Sequence, residues 1–130
     1  MTASPRLLLI DDEPALADYM ASAARLCGFE PAIASDQASF HRLFGEVAPQ
    51  VVVLDLGMPG TDGVEFLRYL AEHRFTGPVL IVSGFDRRVL ESAFRLGSAL
   101  GLTMAGKLEK PVRLEELEHL LQSLRNGAVR

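Results

Sequence analysis

The stretch VVVLDLGMPG at residues 51–60 decides how the rest of the chain is interpreted. Its continuous apolar run predicts a strand buried on both faces, and the run ends at Asp55. Turn-forming residues crowd the following positions and predict a loop, namely Gly57, Pro59, Gly60 and Gly63. Ligands bind outside the carboxyl ends of strands in open parallel sheets, so Asp55 is a candidate functional residue. Taken alone, it is equally compatible with an Asp that opens a loop or caps a helix.

A second segment, RLLLIDDE at residues 6–13, repeats the pattern. The apolar run at residues 7–10 predicts another buried strand, and it ends in the adjacent acids Asp11 and Asp12. Two buried strands that each finish in carboxylates are a stronger signal than either strand alone.

Composition restricts the possible functions. The chain has 130 residues, which predicts one domain, and a formal charge of −4 argues against nucleic acid as a direct partner. The single cysteine, Cys27, cannot form an internal disulfide and is predicted to be a buried hydrophobe. No signal peptide precedes Pro5 and no apolar run is long enough to span a membrane, so we expect a soluble, cytoplasmic protein.

Hydrophobic periodicity predicts five strands that alternate with five helices. The predicted strands are residues 7–10, 30–34, 51–54, 79–82 and 102–108. The helical apolar stripes lie within residues 16–27, 40–47, 64–73, 86–100 and 114–124. The second strand contains Pro31, which suits a sheet edge. Gly28 is predicted to end the first helix, and Ser35 or Asp36 to cap the second.

This alternation predicts an α/β fold with a doubly wound parallel sheet, because right-handed crossovers place helices on both of its faces. A flavodoxin-like strand order, 2-1-3-4-5, makes the first and third strands neighbours. Asp11, Asp12 and Asp55 then converge on one pocket, and the ends of the last two strands bring Ser83 and Lys110 to its rim. We expect a single domain over residues 1–130 with its core at about 6–125.

Three carboxylates in one pocket repel one another by several kcal/mol per close pair, so the predicted site requires a cation. A hard divalent ion with oxygen ligands fits such a set. Mg²⁺ is the expected cofactor because it retains some water and accepts a phosphate oxygen.

Four motifs in order resemble the receiver domain of two-component response regulators. They are the acid pair at Asp11 and Asp12, LDLGMPGTDG around Asp55, VSG around Ser83, and the pair Lys110 and Pro111. The resemblance covers roughly residues 6–125.

The resemblance implies a metal site and a phosphoryl acceptor. Asp12 and Asp55 are implied to bind Mg²⁺ through their side chains, Gly57 through its backbone carbonyl, and Asp11 through water. Asp55 is implied to be the nucleophile that takes a phosphoryl group from a histidine kinase or phosphotransfer protein. Lys110 would then supply a cationic partner, and the Ser83 hydroxyl would bind the new phosphoryl group. Such a domain is a signalling switch rather than an enzyme.

Other interpretations remain open at this stage. Considered by itself, Lys110 is compatible with an ordinary surface lysine, and Ser83 is compatible with a residue that only ends its strand. A receiver fold can also serve only as a docking module. Haloacid-dehalogenase phosphatases likewise use an Asp at a strand end, but they need a second Asp two positions on, where this chain has Gly57.

The chain departs from the receiver pattern at the output step. Receivers usually carry an aromatic residue three positions before the lysine, where this chain has Lys107. We predict that Lys107 makes a salt bridge or partner contact on the face of helix four, strand five and helix five, where an output domain or a second copy would bind. Phe85 and Gly57 are predicted to flank the path by which water reaches the acceptor, and Phe85 to shield it.

The 27-residue interval from Ser83 to Lys110 is long for a receiver. The surplus is predicted to lengthen helix four or its exit loop, and the segment SAFRLGSALGLTMAGKLEKP resembles receivers joined to cyclic-di-GMP phosphodiesterase domains. The three histidines have no partner at metal-binding spacing, and we expect all of them on the solvated surface: His41, His73 and His119.

Overall fold

The structure is a computed structural model and describes residues 4–58, 63–84 and 87–128. It contains five strands, β1 (Arg6–Ile10), β2 (Glu30–Ala34), β3 (Val51–Asp55), β4 (Pro78–Ser83) and β5 (Thr103–Glu109). Its five helices are α1 (Pro14–Leu26), α2 (Gln37–Val47), α3 (Gly63–Glu72), α4 (Arg87–Ala99) and α5 (Leu114–Ala128). The strands are all parallel in the order β2-β1-β3-β4-β5, which confirms the predicted flavodoxin-like sheet.

The sheet separates two hydrophobic layers because successive side chains of a strand point to opposite faces. In β1, Leu7 and Leu9 pack toward α1 and α5. Leu8 and Ile10 pack toward α2, α3 and α4. Both faces are therefore covered by helices, which explains why the central strands are continuous apolar runs.

Local signals place several helix ends as predicted. Gly28 follows the last residues of α1 with φ 93°, a left-handed conformation that favours glycine. Asp36 caps α2, since its carboxylate accepts a hydrogen bond from the Ser39 backbone N–H at 2.7 Å and the Ser39 hydroxyl completes a capping box. Cys27 is buried, as expected of a small hydrophobe.

The region between β4 and β5 differs from the prediction. β5 begins and ends one residue later than predicted, and its pairing with β4 contains a bulge that leaves Ala105 without a β4 partner. The bulge therefore accommodates one residue of the long Ser83–Lys110 interval within β5. The apolar pattern predicted the surplus residues in helix four or its exit loop instead. The predicted start of α4 at Asp86 and the role of Phe85 concern residues outside those described.

The expectation that every histidine lies on the solvated surface is wrong for His41. Its imidazole is half-buried and stacks on the ring of Tyr69, with the ring centroids 4.1 Å apart and an interplanar angle of 8°. His73 is exposed, but its ring also lies 4.0 Å from that of Tyr69, on α3. His119 is exposed as expected.

Candidate functional site

Three aspartates meet at the carboxyl edge of the sheet. Asp55 is the last residue of β3, and Asp11 and Asp12 directly follow the neighbouring strand β1. One carboxylate oxygen from each lies within 4.8 Å of the others. Asp11 and Asp55 are each only 1% exposed, whereas Asp12 is exposed to solvent. The structure therefore brings together the three acids predicted from separate parts of the sequence.

Backbone hydrogen bonds orient the two buried carboxylates. Oδ1 of Asp11 accepts a hydrogen bond from the Glu13 N–H at 2.9 Å. Oδ1 of Asp55 accepts one from the Gly57 N–H at 2.9 Å, so Gly57 lies at the site and contacts the predicted acceptor. In each case the second oxygen, Oδ2, is left for another partner.

Lys110 supplies a positive charge from the far side of the pocket. Its Nζ lies 3.2 Å from Oδ2 of Asp55, 3.3 Å from Oε1 of Glu13 and 3.9 Å from Oδ2 of Asp11. The last distance is an ion pair but too long for a hydrogen bond, and Oδ2 of Asp11 is buried without a hydrogen-bond partner among the residues that the structure describes. The pocket thus contains a buried carboxylate oxygen that has a distant ion pair but no hydrogen bond, which is a costly arrangement.

The pKa values of Asp11 and Lys110 are both raised in the pocket, which favours the neutral form of Asp11 and the charged form of Lys110. Burial raises the pKa of Asp11 to about 6, and the nearby charges of Asp55 and Glu13 add to the increase, which the Glu13 N–H and Lys110 partly offset. Burial alone would lower the pKa of Lys110, but the charges of Asp55 and Asp11 and its hydrogen bonds raise it above the ordinary value. Lys110 is therefore a permanent cation at neutral pH.

Ser83 occupies the predicted place at the rim. It is the last residue of β4 and is fully buried, and its carbonyl accepts a hydrogen bond from the Lys110 N–H at 2.9 Å. This bond fixes the end of β4 against the segment that carries the lysine. The Lys110 side chain also packs over Gly84, where an added Cβ would lie 3.5 Å from its Cδ.

Lys107 is not part of this cluster. Its Nζ lies over the ring of Phe94 in α4, 4.9 Å from the ring centroid, which is a cation–π contact. Among the residues that the structure describes, it forms no salt bridge, so that part of the prediction is not supported. Lys107 instead joins β5 to α4.

Glu13 is a residue of the site that the sequence patterns did not identify. The sequence patterns give it no role in the site, yet its carboxylate contacts Lys110. A third acid directly after Asp11 and Asp12 could have indicated this, because Glu is not among the preferred helix caps.

Fold and site together define a flavodoxin-like domain with an acidic pocket at the carboxyl edge of its sheet. The family model described as response regulator receiver domain matches residues 7–122. The chain belongs to the family of response regulator receiver domains. Members of this family interact with histidine kinases or phosphotransfer proteins and typically bind Mg²⁺ at an aspartate cluster.

Curated relatives support the assignment. The regulatory protein AtoC of Escherichia coli (strain K12) is 31% identical over 94% of this chain and 25% of its own length. The transcriptional regulatory protein TrcR of Mycobacterium tuberculosis is 35% identical over 92% of this chain and 44% of its own length. The chain therefore spans less than half the length of these two relatives.

Solved structures share the fold. A response regulator from Colwellia psychrerythraea is 29% identical, with a TM-score of 0.77 over 95% of this chain and 98% of the other. The Francisella response regulator 1452 receiver domain has a TM-score of 0.79 over 95% of this chain and 98% of its own, at 24% identity. No helix in the described part of the chain is long and apolar enough to cross a membrane.

Proposed function

We propose that Asp55 accepts a phosphoryl group from the phosphohistidine of a sensor histidine kinase or phosphotransfer protein. The observation that carries this proposal is the setting of Asp55. It is a buried carboxylate at a strand end, with one oxygen held by the Gly57 N–H and the other paired with Lys110. A carboxylate oriented in this way is suited to nucleophilic attack.

The acidic pocket fits Mg²⁺. The oxygen donors of three aspartates suit a hard cation, and the unpartnered Oδ2 of Asp11 is an oxygen that such an ion would satisfy. Asp11, Asp12 and Asp55 would hold the ion, together with the backbone carbonyl of Gly57. When bound, Mg²⁺ would neutralise the carboxylates and the charge on the phosphoryl oxygens.

In the proposed transfer, Oδ2 of Asp55 attacks the phosphorus atom. A new O–P bond forms while the P–N bond of phosphohistidine breaks, and its electron pair remains on the imidazole nitrogen, which takes up a proton. The product on this chain is an acyl phosphate. Lys110 would move from Oδ2 to a phosphoryl oxygen and stabilise its charge, and the Ser83 hydroxyl would bind another.

The output of the phosphorylated chain is proposed to pass through the face formed by α4, β5 and α5. Lys107 takes part by its contact with Phe94, since that contact couples β5 to α4. The binding partner on this face would be an output domain or a second copy of the chain. A cyclic-di-GMP phosphodiesterase output domain remains a prediction from the sequence resemblance.

Two alternatives are less well supported. A haloacid-dehalogenase phosphatase needs an acid/base two positions after its nucleophile, and Gly57 has no side chain to serve as one. A docking module without chemistry would not need a buried, unsatisfied carboxylate beside a lysine. We therefore propose that this chain is a single cytoplasmic signalling domain and not an enzyme that acts on other molecules.

Intact-mass measurement after incubation with acetyl phosphate and Mg²⁺ tests the proposal. The parent chain should gain about 80 Da, the mass of one HPO₃, and Asp55→Asn should gain nothing. Asp18→Asn, which removes an exposed acid on α1, is the matched control and should label like the parent. No adduct on the parent, or an adduct on Asp55→Asn, would show that the proposal is wrong.

A further inference from the structure

We infer that Glu13 is a positioning residue for Lys110, and that it shares the ammonium group with the Asp55 oxygen that accepts the phosphoryl group. This inference rests on the function proposed above. Lys110 lies between two carboxylates at nearly equal distances, 3.2 Å to Asp55 and 3.3 Å to Glu13. The two partners differ in setting, because Asp55 is buried in the pocket while Glu13 is largely exposed at its mouth.

Glu13 does not serve its own helix. It occupies the N-cap position of α1, where a side-chain oxygen normally accepts a hydrogen bond from a backbone N–H, but its side chain makes no such bond. Its carboxylate is instead directed to a lysine that is 97 residues away in the sequence. The side chain thus contributes to the pocket rather than to the helix end.

The position of Lys110 affects phosphoryl transfer because its ammonium group contacts the Asp55 oxygen that would attack phosphorus. Oδ1 of Asp55 is held by the Gly57 N–H, so Oδ2 is the oxygen left to attack phosphorus. Lys110 pairs with this same Oδ2, and an ammonium group there occupies one of the lone pairs of the oxygen and lowers its nucleophilicity. Glu13 offers the ammonium another carboxylate nearby. Without Glu13, the acidic partners of Lys110 that remain among the described residues are Asp55 and Asp11, and Lys110 would cover Oδ2 more completely.

Glu13→Gln tests the inference through the initial rate of labelling by acetyl phosphate at saturating Mg²⁺. The expected result is a rate about two- to fivefold lower, the range that an exposed ion pair can provide. The direction of the change in labelling rate distinguishes positioning of Lys110 from a simple charge effect. Removing a negative charge should favour an anionic phosphoryl donor, so a simple charge effect would raise the rate. Asp18→Asn removes a charge from the same helix without touching Lys110 and should not slow labelling.

Glu13→Ser separates positioning from capping. Serine is a better N-cap than glutamate, so this variant should preserve or raise stability, but it cannot reach Lys110. We expect it to label as slowly as Glu13→Gln. A parental rate in Glu13→Ser would mean that the contact between Glu13 and Lys110 does not affect labelling, and the inference would be wrong.

A second readout needs neither metal nor phosphoryl donor. In metal-free protein, the ¹H–¹³C NMR signal of the Lys110 Cε should move in Glu13→Gln and stay in place in Asp18→Asn. An unmoved signal, or a labelling rate in Glu13→Gln equal to the parent's, would overturn the inference while leaving Asp55 as acceptor. If the parent chain were not labelled at all, both proposals would fail.

Discussion

The Nζ of Lys107 lies 4.9 Å from the centroid of the Phe94 ring, so a cation–π contact joins the fifth strand to the fourth helix. Lys107 is exposed, and Phe94 is half-buried against the core on that side of the sheet. The aromatic ring that receivers usually place on the last strand is therefore replaced here by a lysine that binds a ring on the facing helix.

This contact predicts the behaviour of Lys107→Met, which keeps the aliphatic stem over the ring and removes the charge. The free energy of unfolding should fall by about 0.5 to 1 kcal/mol. The same substitution made in a Phe94→Leu background should cause no such loss, because the ring is already absent. Phosphorylation should also change amide hydrogen exchange in α4 less than in the parent. Lys107→Arg, which retains a cation, is the control. A Lys107→Met chain with an unaltered phosphorylation response would exclude a role in output.

Asp11 predicts a pH dependence of stability in the absence of Mg²⁺. Its pKa is raised from 3.8 to about 6 in the folded chain, so between these values the folded state keeps a proton that the unfolded state has lost. The free energy of unfolding should therefore fall as the pH rises from about 3 to about 7, by up to about 3 kcal/mol from this group. Urea unfolding across this pH range measures the effect.

The matching variant is Asp11→Asn, which keeps an oxygen for the Glu13 N–H but cannot ionise. At pH 7 without Mg²⁺ it should be more stable than the parent, because it removes a buried charge with an unsatisfied oxygen. A variant less stable than the parent under these conditions would contradict the proposed cost of the carboxylate.

Mg²⁺ should stabilise the folded chain through the aspartate cluster. At ten times its dissociation constant, the ion would add about 1.4 kcal/mol and raise the unfolding temperature by about 5 °C. Asp12→Asn should lose most of this increase, because Asp12 is exposed and available to the ion. Calorimetry with and without EDTA measures the shift, and NaCl at equal ionic strength controls for screening. An undiminished shift in Asp12→Asn would remove it from the ligand set.

Two glycines predict opposite effects of substitution by alanine. At Gly77, an added Cβ would overlap the backbone carbonyl oxygen of Gln50, which cannot move aside freely, so we expect a loss of about 2 kcal/mol or more. At Gly45, inside α2, an added Cβ would have no described atom within 4 Å apart from the helix's own backbone, so alanine should gain close to 1 kcal/mol through helix propensity. Chemical denaturation of both variants checks the pair, and a neutral Gly77→Ala would show that the backbone adjusts.

Sequence patterns determined the sheet and the three acids because those signals are local. An apolar run such as residues 7–10 marks its own strand, and the acid that ends it is placed by the strand itself. The alternation of strands and helices then limits the topology to one in which Asp11 and Asp55 share an edge. Ser83 and Lys110 followed from the same reasoning.

The tertiary structure alone decided the contacts that depend on where side chains from distant segments point. Glu13 meets Lys110 across 97 residues, Lys107 meets a ring of α4, and His41 stacks on Tyr69 of another helix. Each requires the rotation of one element relative to its neighbour, and the bulge at Ala105 changes that relation within β5. Local periodicity specifies which face of an element is apolar, whereas packing of whole elements determines which polar and aromatic groups meet.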